Sequence, residues 1–151
     1  MMWTEGDAIG VVEWVDVLLA AEKTAERDAI CSPDEAAELL VPALGPCDRE
    51  TSMVLTLDVK HRLLSKRLVS VGSIDHTFMS PREIFRIALM DNAAAIVLGH
   101  CHPSGDPEPS KDDELVTRRI VRAGELIGVE VLDHLVVGGG RWVSLARRGV
   151  V

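Results

Sequence analysis

The sequence predicts an α/β fold in which a mixed β-sheet is flanked by helices. Residues 53–59 alternate between two sets of side chains, as a strand does, and residues 94–98 form a short apolar run bounded by turn residues, as a buried strand does. Helical patterns follow three serines that each precede an acidic residue by three positions: Ser32, Ser80 and Ser110. Capped helices that alternate with strands indicate helices packed on a sheet.

The composition is that of an ordinary globular protein. Its 151 residues are 47% hydrophobic and 26% charged, which suffices for one domain with a core and a short appendage. The formal net charge of −8 repels phosphate backbones, and an aromatic content of 3%, with no Tyr, leaves little for base stacking. Nucleic acid is therefore not an expected partner.

Three widely spaced cysteines, Cys31, Cys47 and Cys101, form neither a disulfide framework nor a C-x-x-C zinc motif, so we expect reduced thiols. The first residues include acids rather than a basic stretch, and no apolar run approaches 18 residues. We therefore expect neither a signal peptide nor a membrane span, and a cytoplasmic location.

The first predicted element is a helix over residues 5–28, which carries an apolar face that includes Ile9, Val12, Val15 and Leu19. Two interpretations of this face are open. It packs on the rest of the domain, or it forms the surface for a partner or for a second copy of the chain in a homodimer.

The elements that follow are predicted from capping residues and from period. A helix over residues 32–44 precedes the strand at 53–59, and a hairpin turn at 58–61 leads to a second strand over 62–73. A capping-box signature then begins a helix over residues 80–90. The later elements are the strand that begins at residue 94, a helix over 110–126, a strand over 129–137 that is interrupted at Asp133 and His134, a turn at 138–140 and a closing strand over 142–145.

Two histidines close the central apolar strand and indicate a metal site. Side chains alternate along a strand, so His100 and His102 point the same way while Cys101 points into the core on the other side. The loop after His102 returns the chain to Asp113, which can supply a third ligand. Water would complete the open tetrahedral arrangement of a catalytic zinc ion.

Each part of this pattern also has a simpler explanation. A His-x-His pair alone is a weak signal, and Ser110 with Asp113 three residues later is by itself a capping box. A capped helix can still present a ligand from its first turn. The prediction of a metal site therefore rests on the conjunction of a strand-borne His pair, a sharp loop and the Ser and Asp at a helix start.

The spacing His100-x-His102, seven residues, Ser110, two residues, Asp113 resembles the JAMM motif of MPN-type metalloproteases. The string HCHPSGDPEPSKDD resembles the bacterial RadC branch of that family, whose usual form is HNHPSG followed by PS and an acid. The resemblance covers roughly residues 47–151 and implies an MPN/JAB, cytidine-deaminase-like domain there, preceded by an N-terminal helical segment over residues 1–46. That segment is too short for the helix-hairpin-helix region of full-length members, so DNA contact of that kind is not implied.

The resemblance also implies catalytic roles. A Glu near the start of the first strand should move protons, and Glu50 matches that position; Glu83, at N3 of a helix, is the competing candidate. Ser110 should hydrogen-bond the oxygen of the tetrahedral intermediate. His134 matches an Asp-His pair that is usual in the RadC branch, and a hydrogen-bonded structural histidine is the favoured interpretation.

The function that these features predict is a zinc-dependent metallohydrolase that cleaves an amide, in a peptide or an isopeptide bond, with a peptide or protein as substrate. Two alternatives are a non-catalytic interaction module with the same fold and an accessory protein associated with DNA repair. A working Glu50 separates the enzyme from the module, and the acidic net charge opposes the DNA interpretation.

Overall fold

The computed structural model describes residues 28–72 and 79–151, which form one mixed sheet with helices on both faces. The helix predicted over residues 5–28 lies outside these ranges apart from its last residue. The elements, in chain order, are α1 (Pro33–Leu44), β1 (Thr51–Leu57), β2 (Leu63–Val71), α2 (Pro81–Met90), β3 (Ala95–Cys101), α3 (Lys111–Ile127), β4 (Glu130–Gly138) and β5 (Arg141–Ser144). The predicted α/β fold, a mixed sheet flanked by helices, is therefore confirmed.

The five strands are arranged in the order β2-β1-β3-β4-β5, with β3 at the centre. β1 runs antiparallel to both β2 and β3, whereas β3 and β4 are parallel and are joined through α3. A parallel pair requires such a crossover. All seven residues of β3 are buried, because helices cover both of its faces.

The helices divide the core into two layers. Leu40 and Leu44 of α1 pack on the sheet face that carries Val97 and Cys101. α2 and α3 cover the other face, where Phe85, Ile120 and their neighbours meet Ile96 and Leu98 of β3. The two faces of β3 therefore belong to different hydrophobic clusters, and side chains two residues apart on this strand share a cluster.

The strand β4 contains a bulge near its start. Ile96 pairs with Val131, but Val97 pairs with Asp133, so Leu132 is an extra residue in β4. The carboxylate of Asp133 accepts hydrogen bonds from the backbone N–H of His134 at 2.7 Å and of Ala146 at 2.9 Å. It also accepts a bond of 2.6 Å from the Ser144 hydroxyl. These contacts hold the bulge in place.

The bulge changes which side chains of β4 face α3. Val131 lies in the cluster beneath α2 and α3, whereas Leu135 and Val137 lie in the cluster beneath α1. One extra residue reverses the alternation. His134 consequently lies on the α3 face, opposite Leu98 and beside His100. The interruption predicted at Asp133 and His134 corresponds to this bulge.

Two of the three predicted capped helix starts are confirmed. The Ser32 side chain accepts from the backbone of Glu35, and Ser110 and Asp113 form a reciprocal capping box. The capping box predicted at Ser80 is wrong, because within the described residues the Ser80 side chain makes no cap hydrogen bond. The Glu83 carboxylate is instead paired with Arg86 at 3.1 Å.

The three cysteines all carry free thiols, and Cys101 is buried. Across residues 28–72 and 79–151, none of the helices has the length and apolarity needed to span a lipid bilayer.

Candidate metal centre

Three side chains meet where the end of β3 faces the start of α3. His100 lies at the end of β3, His102 follows one residue after the strand, and Asp113 lies in the first turn of α3. The Nε2 atoms of the two histidines are 3.0 Å apart. The Asp113 carboxylate places Oδ1 3.3 Å from His100 Nε2 and Oδ2 3.2 Å from His102 Nε2. This group of side chains can hold a metal ion.

The spacing of these atoms suits a small tetrahedral ion. Two ligands bonded at about 2.0–2.1 Å to one tetrahedral ion lie about 3.3–3.4 Å apart. The two Nε2 atoms are 3.0 Å apart, and each lies 3.3 or 3.2 Å from a different oxygen of the Asp113 carboxylate, within a few tenths of an ångström of that edge. Only small side-chain shifts are therefore needed for the three groups to bind a common ion.

The contact of His102 Nδ1 assigns the proton of the neutral His102 ring. Nδ1 of His102 lies 2.9 Å from the backbone carbonyl of Asp106. A carbonyl oxygen only accepts hydrogen bonds, so Nδ1 carries the proton and Nε2 offers its lone pair to the cluster. Metal-binding histidines in proteins commonly have this arrangement.

The loop that supplies the Asp106 carbonyl is held against the glycine turn after β4. The side chain of Arg141 donates to the carbonyl of Gly105 at 3.3 Å. At Gly138 the approach is close: an added Cβ would lie 2.8 Å from the carbonyl carbon of Asp106 and 2.8 Å from the nitrogen of Pro107. Glycine is needed there because no side chain fits between the turn and the loop.

Asp113 both caps α3 and contacts the histidines. Its Oδ2 accepts from the backbone N–H of Ser110 at 2.7 Å, and its own N–H donates to the Ser110 hydroxyl at 3.1 Å. Burial alone would raise the pKa of this carboxyl group, but its contacts with the His100 and His102 rings and with the backbone N–H of Ser110 outweigh burial and hold the pKa well below its usual value. Asp113 is therefore an anion that faces two imidazoles.

The charge of His102 responds to the same contacts. The hydrogen bond with Asp113 raises the pKa of His102 although burial opposes it, and the Asp106 carbonyl and the negative charge of Glu50 act in the same direction. A positive charge at this position, whether a proton or a metal ion, is therefore stabilised.

Behind His100, on the side away from solvent, a chain of hydrogen bonds runs through His134 to Thr117. Nδ1 of His100 lies 2.7 Å from Nε2 of His134, and Nδ1 of His134 lies 2.6 Å from the Thr117 hydroxyl. The Thr117 hydroxyl also donates to the backbone carbonyl of Asp113 at 2.6 Å. Burial lowers the pKa of His134 well below its ordinary value, so this ring is neutral.

Glu50 lies at the same end of the sheet as the cluster. It directly precedes β1, and its charge is among the groups that raise the pKa of His102. Glu83 lies on α2, half exposed and paired with Arg86. Of the two candidate glutamates, Glu50 therefore has the electrostatic link to the cluster.

The flanking residues lie where strand and helix geometry predicts. The side chain of Cys101 is buried in the α1 cluster, away from the histidine pair, as expected. Asp112 is exposed, and Glu114 reaches toward Arg118 at 3.8 Å.

The sequence did not single out Thr117, and for His134, which matches the Asp-His pair of the RadC branch, it favoured a structural role. Thr117 is four residues after Asp113 on a helix, a spacing that lets its hydroxyl reach the backbone carbonyl of Asp113. The contact between His134 and His100 spans 34 residues of sequence. The interruption of the strand pattern at Asp133 was the available sign, but it does not reveal which face His134 occupies.

The fold and the cluster define an α/β domain with a candidate metal centre at the carboxyl end of its central strand. The chain belongs to the family of RadC-like JAB domains, whose model matches residues 30–150.

Relatives support this membership. The chain is similar to a UPF0758 protein of Methanosarcina barkeri, with 42% identity over 122 residues. It is also similar to a UPF0758 protein of Moorella thermoacetica, with 44% identity over 128 residues. These matches cover 81% and 85% of this chain but 53% and 56% of the relatives. The chain thus spans about half the length of the curated relatives that it matches.

Proposed function

We propose that this protein is a zinc-dependent metallohydrolase that cleaves an amide in a peptide or isopeptide bond. The observation that carries the proposal is the convergence of two imidazole nitrogens and one carboxylate within 3.3 Å of one another. Two nitrogens, one oxygen and an open fourth position are the ligand set of a catalytic zinc ion.

His100, His102 and Asp113 would hold the metal. When bound, zinc supplies Lewis-acid chemistry, because it polarises a carbonyl and lowers the pKa of a coordinated water to about 7. The anionic Asp113 offsets the positive charge of the ion, and the Asp106 carbonyl keeps His102 in the tautomer that offers Nε2.

Glu50 is the proposed general base. Its carboxylate takes a proton from the attacking water and passes it to the nitrogen of the leaving amine. The electrostatic effect of Glu50 on His102 supports this role, because it indicates that the carboxylate is near the cluster. Glu83, which is paired with Arg86, lacks that support.

Ser110 is the proposed donor to the developing oxyanion. Its oxygen accepts from the backbone N–H of Asp113 at 3.1 Å, and the hydroxyl proton can be donated to substrate. The N-terminus of α3 favours negative charge at the same place.

Zinc analysis of purified protein tests the metal centre. The wild type should carry about one zinc per chain, and His102→Ala should lose it. His61→Asn is the matched control, because His61 is a turn residue with a φ of 58°, which Asn tolerates. Undiminished zinc in His102→Ala would refute the proposed site.

Hydrolysis is tested by the release of new amino termini from a mixture of unrelated peptides. Zinc-loaded protein should release them, and chelator-treated protein should not. Zinc binding with no release from either peptides or isopeptide-linked conjugates would favour the non-catalytic module instead.

A further inference from the structure

The direction of the hydrogen bonds behind His100 follows from Thr117. A hydroxyl group has one proton, and the backbone carbonyl of Asp113, 2.6 Å away, only accepts. Thr117 therefore donates to that carbonyl. Its remaining contact, at 2.6 Å to Nδ1 of His134, requires the histidine nitrogen to be the donor.

The same reasoning extends to the two histidines. His134 is fully buried, and a charged ring without a carboxylate partner is costly in such a place, so the ring carries only one proton. That proton is on Nδ1, so Nε2 accepts. Nδ1 of His100, at 2.7 Å, must then donate to it, and Nε2 of His100 is left with a lone pair directed at Asp113 and His102.

We propose that Thr117 and His134 are positioning residues that hold His100 in the Nδ1–H tautomer, the form whose Nε2 can bind a metal ion. This inference rests on the proposed metal centre and assigns the protons behind it. The other tautomer would place a proton on Nε2, between His100 and the ion.

The backbone of β4 is arranged for this contact. If Leu132 occupied a regular strand position instead of the bulge, the alternation would place His134 on the α1 face, away from His100. Asp133 binds the backbone of His134 and of Ala146 and so fixes the bulge. A histidine that served only to fill the core would not need a partner for each ring nitrogen. Nε2 of His134 lies 2.7 Å from Nδ1 of His100, and Nδ1 of His134 lies 2.6 Å from the Thr117 hydroxyl.

The Thr117 hydroxyl gives the cleanest test, because two substitutions separate its shape from its hydrogen bond. Thr117→Val keeps the shape and removes the acceptor for His134 Nδ1–H. The proton of His134 is then free to move to Nε2, which reverses the bond to His100. Thr117→Ser keeps the hydroxyl and loses the methyl group. Thr117 is not a proposed metal ligand, so neither substitution removes one.

Zinc affinity of the full chain should be measured by competition with a chromogenic chelator. We expect Thr117→Val to bind zinc about 10-fold more weakly than the wild type, in the range known for residues behind metal-binding histidines, and Thr117→Ser to restore most of the loss. His134→Gln, whose amide can accept from His100 and donate to Thr117, should bind more tightly than His134→Leu.

Thermal unfolding in the presence of chelator identifies any variant that fails to fold. If a Thr117 variant fails, the zinc affinities of the two His134 variants test the inference, and the reverse holds if a His134 variant fails. Thr117→Val with wild-type affinity would overturn the inference. The inference would also be overturned if Thr117→Ser bound zinc as weakly as Thr117→Val, because the loss of affinity would then come from altered packing. A wild type that binds no zinc would instead refute the metal centre itself.

Discussion

Ser52 of β1 lies directly opposite His100 of β3 in the antiparallel pair. Paired residues of this kind point to the same face of a sheet. Glu50 is two residues before Ser52, and His102 is two residues after His100, so the two chain ends leave the sheet together. This register, set by strand pairing, places Glu50 at the same end of the sheet as the candidate metal centre.

We predict that Glu50→Gln keeps the fold and the zinc but lowers amide hydrolysis by at least about 10²–10⁴-fold, as expected for loss of a general base. Glu83→Gln is the matched control. It removes only an exposed ion pair with Arg86, which contributes little to stability. Initial rates and zinc content of both variants check the prediction. Loss of activity in Glu83→Gln alone would reverse the assignment.

Cys101→Ala should leave zinc content unchanged and destabilise the fold. The thiol lies in the α1 cluster, on the face opposite to His100, and donates to the carbonyl of Arg49 at 3.2 Å. Removal of a buried sulfur should cost on the order of 1 kcal/mol. Denaturant unfolding with zinc analysis of the same sample measures both. Loss of metal with an intact fold would contradict the assignment of the strand faces.

The contact between His102 and Asp113 should make the stability of chelator-treated protein depend on pH. Folding raises the pKa of His102, so its contribution is fully present below the unfolded value of about 6.5 and is lost as pH rises through the folded value. Folding lowers the pKa of Asp113, so its contribution is present above about 3.9 and is lost only as pH falls through the depressed value.

Unfolding of the wild type and of His102→Gln should therefore differ more at about pH 5.5 than at about pH 9. Thermal unfolding at both values, with chelator present, measures the difference. An equal or larger difference at the higher pH would contradict the assigned direction of the His102 shift.

Gly138→Ala should weaken zinc binding from a distance. Its methyl group would be forced against the backbone of Asp106 and Pro107 and would displace the carbonyl that orients His102. Gly140→Asn is the control in the same turn, since its Cβ meets nothing within 4 Å and its φ of +74° is one that Asn tolerates. Chelator competition should show weaker binding in the first variant only. Equal affinity of both would show that the loop adapts.

Local sequence signals sufficed for much of the fold. Period and capping residues predicted the type and approximate bounds of the described strands and helices. The capping box at Ser110 and the shared direction of His100 and His102 followed from the same signals. Local geometry also predicted that Cys101 faces the core. These properties depend on residues within one turn or one strand, so a short window of sequence determines them.

The capping box at Ser80 shows the limit of such signals. The Ser and Glu are correctly spaced, but the Glu83 carboxylate is paired with Arg86 three residues later in the same helix. A sequence motif indicates which hydrogen-bond partners lie within reach of a side chain, but competition among those partners determines which hydrogen bond forms.

The tertiary structure alone decided the surroundings of the metal ligands. His134 contacts His100 because one bulge residue reverses the alternation of β4, and Thr117 contacts His134 across 17 residues of sequence. Glu50 lies at the same end of the sheet as the cluster because of the register of β1 on β3. These contacts depend on strand register and on the crossing of α3 over the sheet. Register is set by the packing of whole elements, which no local period records.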